Sequence, residues 1–415
     1  MINIKKSRLE AGITVVTERI EDVHSFSLGF WVVVGSRNEN RLENGISHFI
    51  EHTIFKGTKK RNVKEIARVL ESKGAALDAF TSKEVTCFYS RGLDTQLKLA
   101  VDVIADILTN PIFPEEEIKK EIGVVKEEIK DNEDSPEKLI FDKVFEKIYI
   151  KHPLSNSILG DKKNVEGFTR AKTLAYFRKW YKPERIVVAA SGFLEHNEVL
   201  DYLKPYFKPQ KSSNKTFFKP VKNHYKPNIF KYRKKGLFQS HLLIATPTFN
   251  YKDPRKYPLL VLDTVLGEGM SSILFQRVRE EKGLVYQIFS FADFFSDEGV
   301  FGIYLACDPK KIEIAKKTVI KELTKLRRNG LSKRRVSEAK IRLKSKLIIG
   351  QESTSNRMLR LGRNAIYRGK IVTIDEVIGA VDAVNQTDVN NVIDDVLHED
   401  NFSSIYIGDF GKSGM

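Results

Sequence analysis

The segment GISHFIEH, Gly45–His52, and its echo GMSSILFQ, Gly269–Gln276, decide how this chain is read. On a helix, residues four apart project from one face with Cβ atoms about 5 to 6 Å apart, so imidazoles at His48 and His52 can converge on one tetrahedral ion. Glu51 lies next to His52 at the flank of that face. It can reach a metal-bound water instead of the metal, which is where a general base belongs.

The echo is part of an internal repeat. FPEEEIKKEIGVVKEE from Phe113 has the apolar spacing of LSKRRVSEAKIRLKSK from Leu331, and RIVVAASGF from Arg185 matches SSIYIGDF from Ser403. In this register Ser272, Phe275 and Gln276 stand opposite His48, Glu51 and His52, and Lys346 stands opposite Glu128. A duplicated domain has kept its chemistry in one copy only. Strands are expected at 13–17 and 26–34, a helix through HFIEH capped by Asn44 or Ser47, and a second helix over 63–73 closed by Gly74. Further on, a strand is expected over 78–89, helices over 97–108, 114–130, 136–149 and 173–180, and a strand over 185–191. KPQKSSNKTFFKPVKNHYKP, from Lys208, loses all periodicity and reads as a linker. The predicted organisation is therefore a first domain at 1–208, a linker at 209–227 and a homologous second domain at 228–415. The fold class expected is α+β, with each domain a mostly antiparallel mixed sheet carrying helices on one side.

Composition bounds the rest. At 415 residues the chain exceeds the roughly 250 to 300 at which one core stops growing. No apolar run approaches the roughly 18 residues of a membrane span, so no span is expected. MINIKKSRLEAGITVV lacks the apolar stretch of a signal peptide, and cytoplasmic residence is the expectation. Cys87 and Cys307 are too few for a disulfide framework and read as small buried hydrophobes. Of the net charge of +16, the stretch 310–346 supplies +12 through 15 Lys or Arg and three Glu. The same stretch spaces Ile312, Ala315, Val319, Leu323 and Leu326 helically, so the basic side chains fall on the outer faces of packed helices. It has neither interleaved aromatics nor a recognisable module, and no nucleic-acid partner is expected.

A catalytic zinc site takes three protein ligands and leaves one position for water. In EEIKKEIGVVKEEIK, Ile118, Ile122, Val125 and Ile129 form the core stripe, and Glu121, Glu127 and Glu128 are the candidate third ligands. Glu121 and Glu128, seven apart, share a face. The His-x-x-Glu-His pattern is itself a signature of zinc peptidases. With GSRNEN, NGISHFIEHTIFKGT, DAFTSKE, EIGVVKEEI and HPLSNSILG in this order, the chain resembles the mitochondrial processing peptidase, pitrilysin and insulysin family, in particular its small bacterial members.

That resemblance implies one Zn2+ per chain, held by His48, His52 and Glu128, with Glu51 as catalytic base and Glu121 supporting the site from behind. It implies that Arg279 and Tyr286, in RVREEKGLVY, orient the substrate carbonyl and stabilise the oxyanion, and that a peptide adds as a strand at Asp78, Ala79 and Phe80. The family commonly has Asn where this chain has Asp78. The activity implied is endopeptidase cleavage of peptides or unfolded segments inside a chamber, through a Glu-activated water. The chain supplies half of such a chamber, so the expected assembly is a homodimer, or a heterodimer with a paralogue. The rival readings are an inactive partner subunit, against which the intact motif argues, and a basic nucleic-acid-binding protein.

Overall fold

The computed structural model describes residues 3–209 and 217–409. Residues 210–216 of the expected linker lie outside the described residues. The first half runs β1 (Asn3–Arg8), β2 (Thr14–Arg19), β3 (Ser25–Val32), α1 (Ile46–Thr53), α2 (Val63–Glu71), β4 (Ala76–Thr81), β5 (Thr86–Leu93), α3 (Leu97–Thr109) and α4 (Glu115–Asp134). It continues through α5 (Pro136–Ile148), α6 (Lys162–Glu166), α7 (Arg170–Trp180), β6 (Ile186–Gly192) and α8 (His196–Leu203). The second half runs β7 (Ile229–Arg233), β8 (Ser240–Thr248), α9 (Lys256–Leu266), β9 (Gln287–Phe294), β10 (Gly299–Cys307), α10 (Ile312–Asn329) and α11 (Lys333–Gly350). It ends with α12 (Thr354–Tyr367), α13 (Ile374–Ala383), α14 (Gln386–Val396) and β11 (Ser403–Gly408).

Among the described residues one sheet has the order β1-β2-β6-β3-β5-β4 and the other β7-β11-β8-β10-β9. Without β1, the first sheet pairs parallel, then antiparallel three times, and the second sheet repeats that sequence. The repeat read from the sequence is thus a repeat of topology, and the α+β class holds. The expected single strand over 78–89 is instead a hairpin. Ser82 N–H donates to Val85 O at 2.8 Å, and the polar turn residues are paired, Lys83 to Asn156 O at 2.6 Å and Glu84 to Arg37 at 2.9 Å.

Strand alternation explains where the cores lie. In β3, Phe26, Leu28, Phe30 and Val32 point into a core shared with α1, α3 and α4, whereas Trp31 points the other way. In β6, Ile186, Val188 and Ala190 follow the first set, and Val187 and Ala189 the second. Both faces of the sheet are apolar, so both need cover. The main helical layer covers one. On the other lies α12, whose Met358, Leu361, Ala365 and Ile366 pack with Trp31, Val187 and Cys87. Glu18, buried on β2, receives Arg357 at 2.6 Å and Arg360 at 2.7 Å from α12, and Ser27 Oγ bonds Thr354 and Ser355 at 2.9 Å. The second sheet repeats the arrangement. Its main core involves α9, α10, α11 and α14, and its other face is covered by Ile140, Val144 and Ile148 of α5 against Leu243, Ala245, Tyr304 and Ile405.

The chain accordingly forms two discontinuous compact units. The first comprises the chain up to Lys130, Asn156–Lys219 and Gly350–Val372, and the second comprises Asp131–Ser155, Pro220–Ile349 and the chain from Thr373. This corrects the expected split at 208–228: α5 belongs to the second unit and α12 to the first, because each covers an apolar sheet face there. The stripe Ile312, Ala315, Val319, Leu323 and Leu326 is buried and both cysteines are buried, as the sequence implied. Among the described residues no helix is long and apolar enough to cross a membrane.

Gly362 of α12 lies directly on the indole of Trp31, which is 1% exposed and has no room to move. A Cβ at Gly362 would be driven into that ring. Gly362→Ala is expected to destabilise the fold by about 1 to 3 kcal/mol, as overpacking of a closed core does. A urea unfolding midpoint unchanged from wild type would show that α12 does not pack there.

Candidate metal centre

The helix that carries the motif begins at Gly45, whose φ of 98° is left-handed and open to glycine. A Cβ at this position would also come within 2.7 Å of Leu159 O. With no side chain at this N-cap, the cap comes from elsewhere. The buried carboxylate of Glu39 accepts from Gly45 N at 2.7 Å, Ser47 N at 2.8 Å and Asn44 Nδ2 at 2.9 Å. The expected cap at Asn44 or Ser47 is therefore corrected to Glu39. Burial pushes the Glu39 carboxyl up, and the bonds from Gly45 and Ser47 oppose that rise.

One and a half turns on, the rings of His48 and His52 sit 4.7 Å apart. Glu128 Oε2, from α4, lies 3.5 Å from His48 Nε2 and 3.4 Å from His52 Nε2. One donor atom from each of the three residues lies within 4.8 Å of the others, and among the described residues this is the group of histidine and carboxylate donors able to hold a metal ion. Ligand bonds of about 2.0 to 2.2 Å in a tetrahedral zinc site put donor atoms roughly 3.3 to 3.5 Å apart. The carboxylate-to-imidazole separations match that spacing. Zinc fits this donor set on chemistry as well, two imidazoles and one carboxylate being a common catalytic combination.

Electrostatics point the same way. Burial, with the charge of His52 adding to it, drives the His48 pKa down to about 4, so its imidazole is neutral and keeps a lone pair. Burial also works against charge on His52, yet hydrogen bonds with Glu121 and Glu128 and the charges of Glu128 and Glu51 outweigh it and raise its pKa to about 9. The carboxylates around His52 favour positive charge at this point.

Behind the site, Glu121 is buried on α4, on the face it shares with Glu128 seven residues on. Its Oε2 lies 3.2 Å from His52 Nδ1, and Lys56 Nζ contacts its Oε1 at 2.7 Å. Burial alone would raise the Glu121 pKa, but the bonds to His52 and Lys56 hold it below the usual carboxylate range. Glu51 stands beside the three donors and is not one of them. Burial raises its pKa, a hydrogen bond with Thr81 of β4 acts against that, and its Oε2 is buried without a hydrogen-bond partner.

Asp78, Ala79 and Phe80 lie on β4, the strand that ends the first sheet. The Asp78 carboxylate is already engaged, accepting from Ala79 N at 2.8 Å and Tyr89 OH at 2.9 Å. Arg279 and Tyr286 belong to the second unit. Arg279, in a π-helical turn at Phe275–Glu280, lies 4.7 Å over the ring of Phe275, and Tyr286 is 60% exposed. Sequence reading missed Glu39, Thr81 and Lys56. Only Lys56 left a signal, its i+4 spacing from His52, which carries it over the same helix face.

Comparison with known proteins identifies the family. Residues 14–162 match the family described as insulinase (peptidase family M16), and residues 167–343 match the peptidase M16 inactive domain. An uncharacterized zinc protease of Bacillus subtilis, YmxG, is 35% identical over 397 residues, 96% of each chain. An uncharacterized zinc protease of Streptomyces coelicolor is 33% identical over 400 residues, 95% of this chain and 87% of its own. The crystal structure of a protease from Helicobacter pylori has the same fold, with a TM-score of 0.91 at 21% identity, covering 98% of this chain and 99% of that one. The chain belongs to the M16 peptidase family.

Replacing Glu128 by Gln keeps its shape and removes its charge. Glu128→Gln is expected to weaken zinc binding by more than the roughly 10- to 100-fold that loss of an outer-shell partner causes. Metal analysis after dialysis against a chelator checks this, and a zinc-replete Glu128→Gln protein would remove the residue from the donor set.

Proposed function

We propose that this chain is a zinc-dependent endopeptidase acting on peptides or unfolded polypeptide segments enclosed in a chamber. One observation carries the reading: three metal donors converge beside a half-buried carboxylate, Glu51, that is not one of them and has a buried oxygen without a partner. His48, His52 and Glu128 would hold one zinc ion per chain. When bound, the ion would supply Lewis-acid activation of a water and of the scissile carbonyl.

The other steps fall to the protein. The unpartnered Oε2 of Glu51 is placed to take a proton from the attacking water and pass it to the leaving amine. Glu121 keeps the His52 ring turned so that Nε2 faces the other donors. On β4, the outer edge at Asp78, Ala79 and Phe80 offers main-chain groups to an extended peptide, so the scissile bond is presented by strand addition and not by a side-chain pocket. Because the Asp78 carboxylate is occupied, its part there is through the backbone. Arg279 and Tyr286 act as donors to the substrate carbonyl and the developing oxyanion. The working assembly is a homodimer in which each protomer lends Arg279 and Tyr286 to its partner's zinc site.

Two measurements test the proposal. Glu51→Gln is expected to lose peptide hydrolysis while retaining about one zinc per chain, since a base is not a ligand. Loss of zinc along with activity would reassign Glu51. Tyr286→Phe alone should cost roughly 100- to 1,000-fold in kcat, the usual cost of losing one oxyanion donor. Mixed with Glu51→Gln under conditions of subunit exchange, it should regain activity, because a mixed dimer contains one intact site. If exchange is verified and activity stays absent, Tyr286 does not act across a dimer.

A further inference from the structure

Glu121 holds His52, and the same carboxylate has to be held in its turn. Its carboxylate is 6% exposed, and an ionised carboxylate at that depth requires a cationic or multiply hydrogen-bonded partner on each oxygen. Its two oxygens are divided. Oε2 faces His52 Nδ1 at 3.2 Å, and Oε1 is held by Lys56 Nζ at 2.7 Å.

Lys56 is placed for this by local geometry. After Thr53 the helix tightens into a 3-10 turn at Ile54–Lys56, and the lysine, four residues after His52, returns over the same face of α4 that His52 addresses. The stem of Lys56 is largely covered, with a quarter of its side chain exposed, and the ammonium reaches inward to Glu121.

We propose that Lys56 is a positioning residue of the metal site. It fixes Glu121 so that the carboxylate orients the His52 ring, and it acts on the metal through two intervening side chains without touching it. The assignment rests on the zinc-site reading above. The ammonium matters for metal affinity even where the metal-free chain is fully folded, which is more than its part in a buried ion pair requires. A carboxylate pinned at one oxygen presents the other in one direction only. Without Lys56, Glu121 can rotate about its last torsion, and the ring it orients is no longer held with Nε2 toward His48 and Glu128.

The test uses the full chain. Wild type, Lys56→Met and Lys56→Arg are stripped of metal, and the zinc dissociation constant of each is measured by competition with a chromogenic chelator. Thermal midpoints of the metal-free proteins are measured alongside. Lys56→Met is expected to bind zinc about 10- to 100-fold more weakly, the range for loss of an outer-shell partner. Lys56→Arg, which keeps the charge and the donors, is expected to recover most of that loss, and the metal-free midpoint of Lys56→Met, lowered by the broken ion pair, should still lie above the temperature of the zinc measurement. Zinc affinity in Lys56→Met equal to wild type would overturn the assignment and leave the zinc site standing. A loss of affinity seen only where the metal-free chain is partly unfolded, or not rescued by arginine, would overturn it in favour of a structural role. A wild-type chain that binds no zinc would overturn the site itself and this inference with it.

Discussion

An isolated helix shorter than about 12 residues does not hold its shape in water, because too few hydrogen bonds repay the cost of nucleation. α1, the carrier of both histidines and of Glu51, has eight residues. Its geometry therefore has to be imposed from outside. At its start the imposition is a buried carboxylate, Glu39, which satisfies amides that the αL glycine at the N-cap leaves open. Along its inner face Ile46, Phe49 and Ile50 are fully packed. At its end Glu121 ties it to α4 through His52 and Lys56. A distance of 3.4 or 3.5 Å between donor atoms on two different helices has meaning only because both helices are fixed in this way.

The second unit shows what the same scaffold does without these donors. Glu128 has Lys346 as its counterpart, and the Lys346 ammonium pairs with Glu268, the residue just before Gly269. Arg342, one turn earlier on α11, donates to the carbonyl of Glu268. Where the first unit gathers lone pairs, the second has its own fixed cations tied to acidic and carbonyl oxygens. A permanently charged side chain in that place repels a metal ion, and it satisfies locally the carboxylate that a metal would otherwise neutralise.

How much of this could be read from the sequence varies with the distance over which each contact acts. His48, Glu51 and His52 were legible because helical spacing alone puts them together. Glu121 and Glu128 could be placed on one face by the same rule, but choosing among Glu121, Glu127 and Glu128 needed the family resemblance, since periodicity does not say which residue of α1 a glutamate meets. Glu39 and Thr81 reach α1 from a loop and from a strand, and no local pattern marks them. The hairpin between β4 and β5 was missed because Ser82, Lys83 and Glu84 carry none of the glycine, proline or asparagine that usually signals a turn. The domain boundary was misplaced for a different reason. IVVAASG in β6 is apolar at consecutive positions, the mark of a strand covered on both faces, and the helix that covers its second face lies more than 160 residues later.

That distance has a consequence for how the chain is made. A ribosome adds roughly 5 to 20 residues each second, so a segment can pack only after its partners have emerged. All six strands of the first sheet are complete by Gly192, yet Trp31, Val187 and Ala189 wait for Met358 and Leu361 before their face is closed. While roughly 160 further residues are added, the nascent first half therefore presents an uncovered apolar sheet surface. α5 is in the opposite position, finished early and waiting for the strands of the second sheet, Tyr304 and Ile405 among them. Neither half can be completed alone, and a gene cut at the sequence boundary would yield two fragments that each lack one wall of their own core.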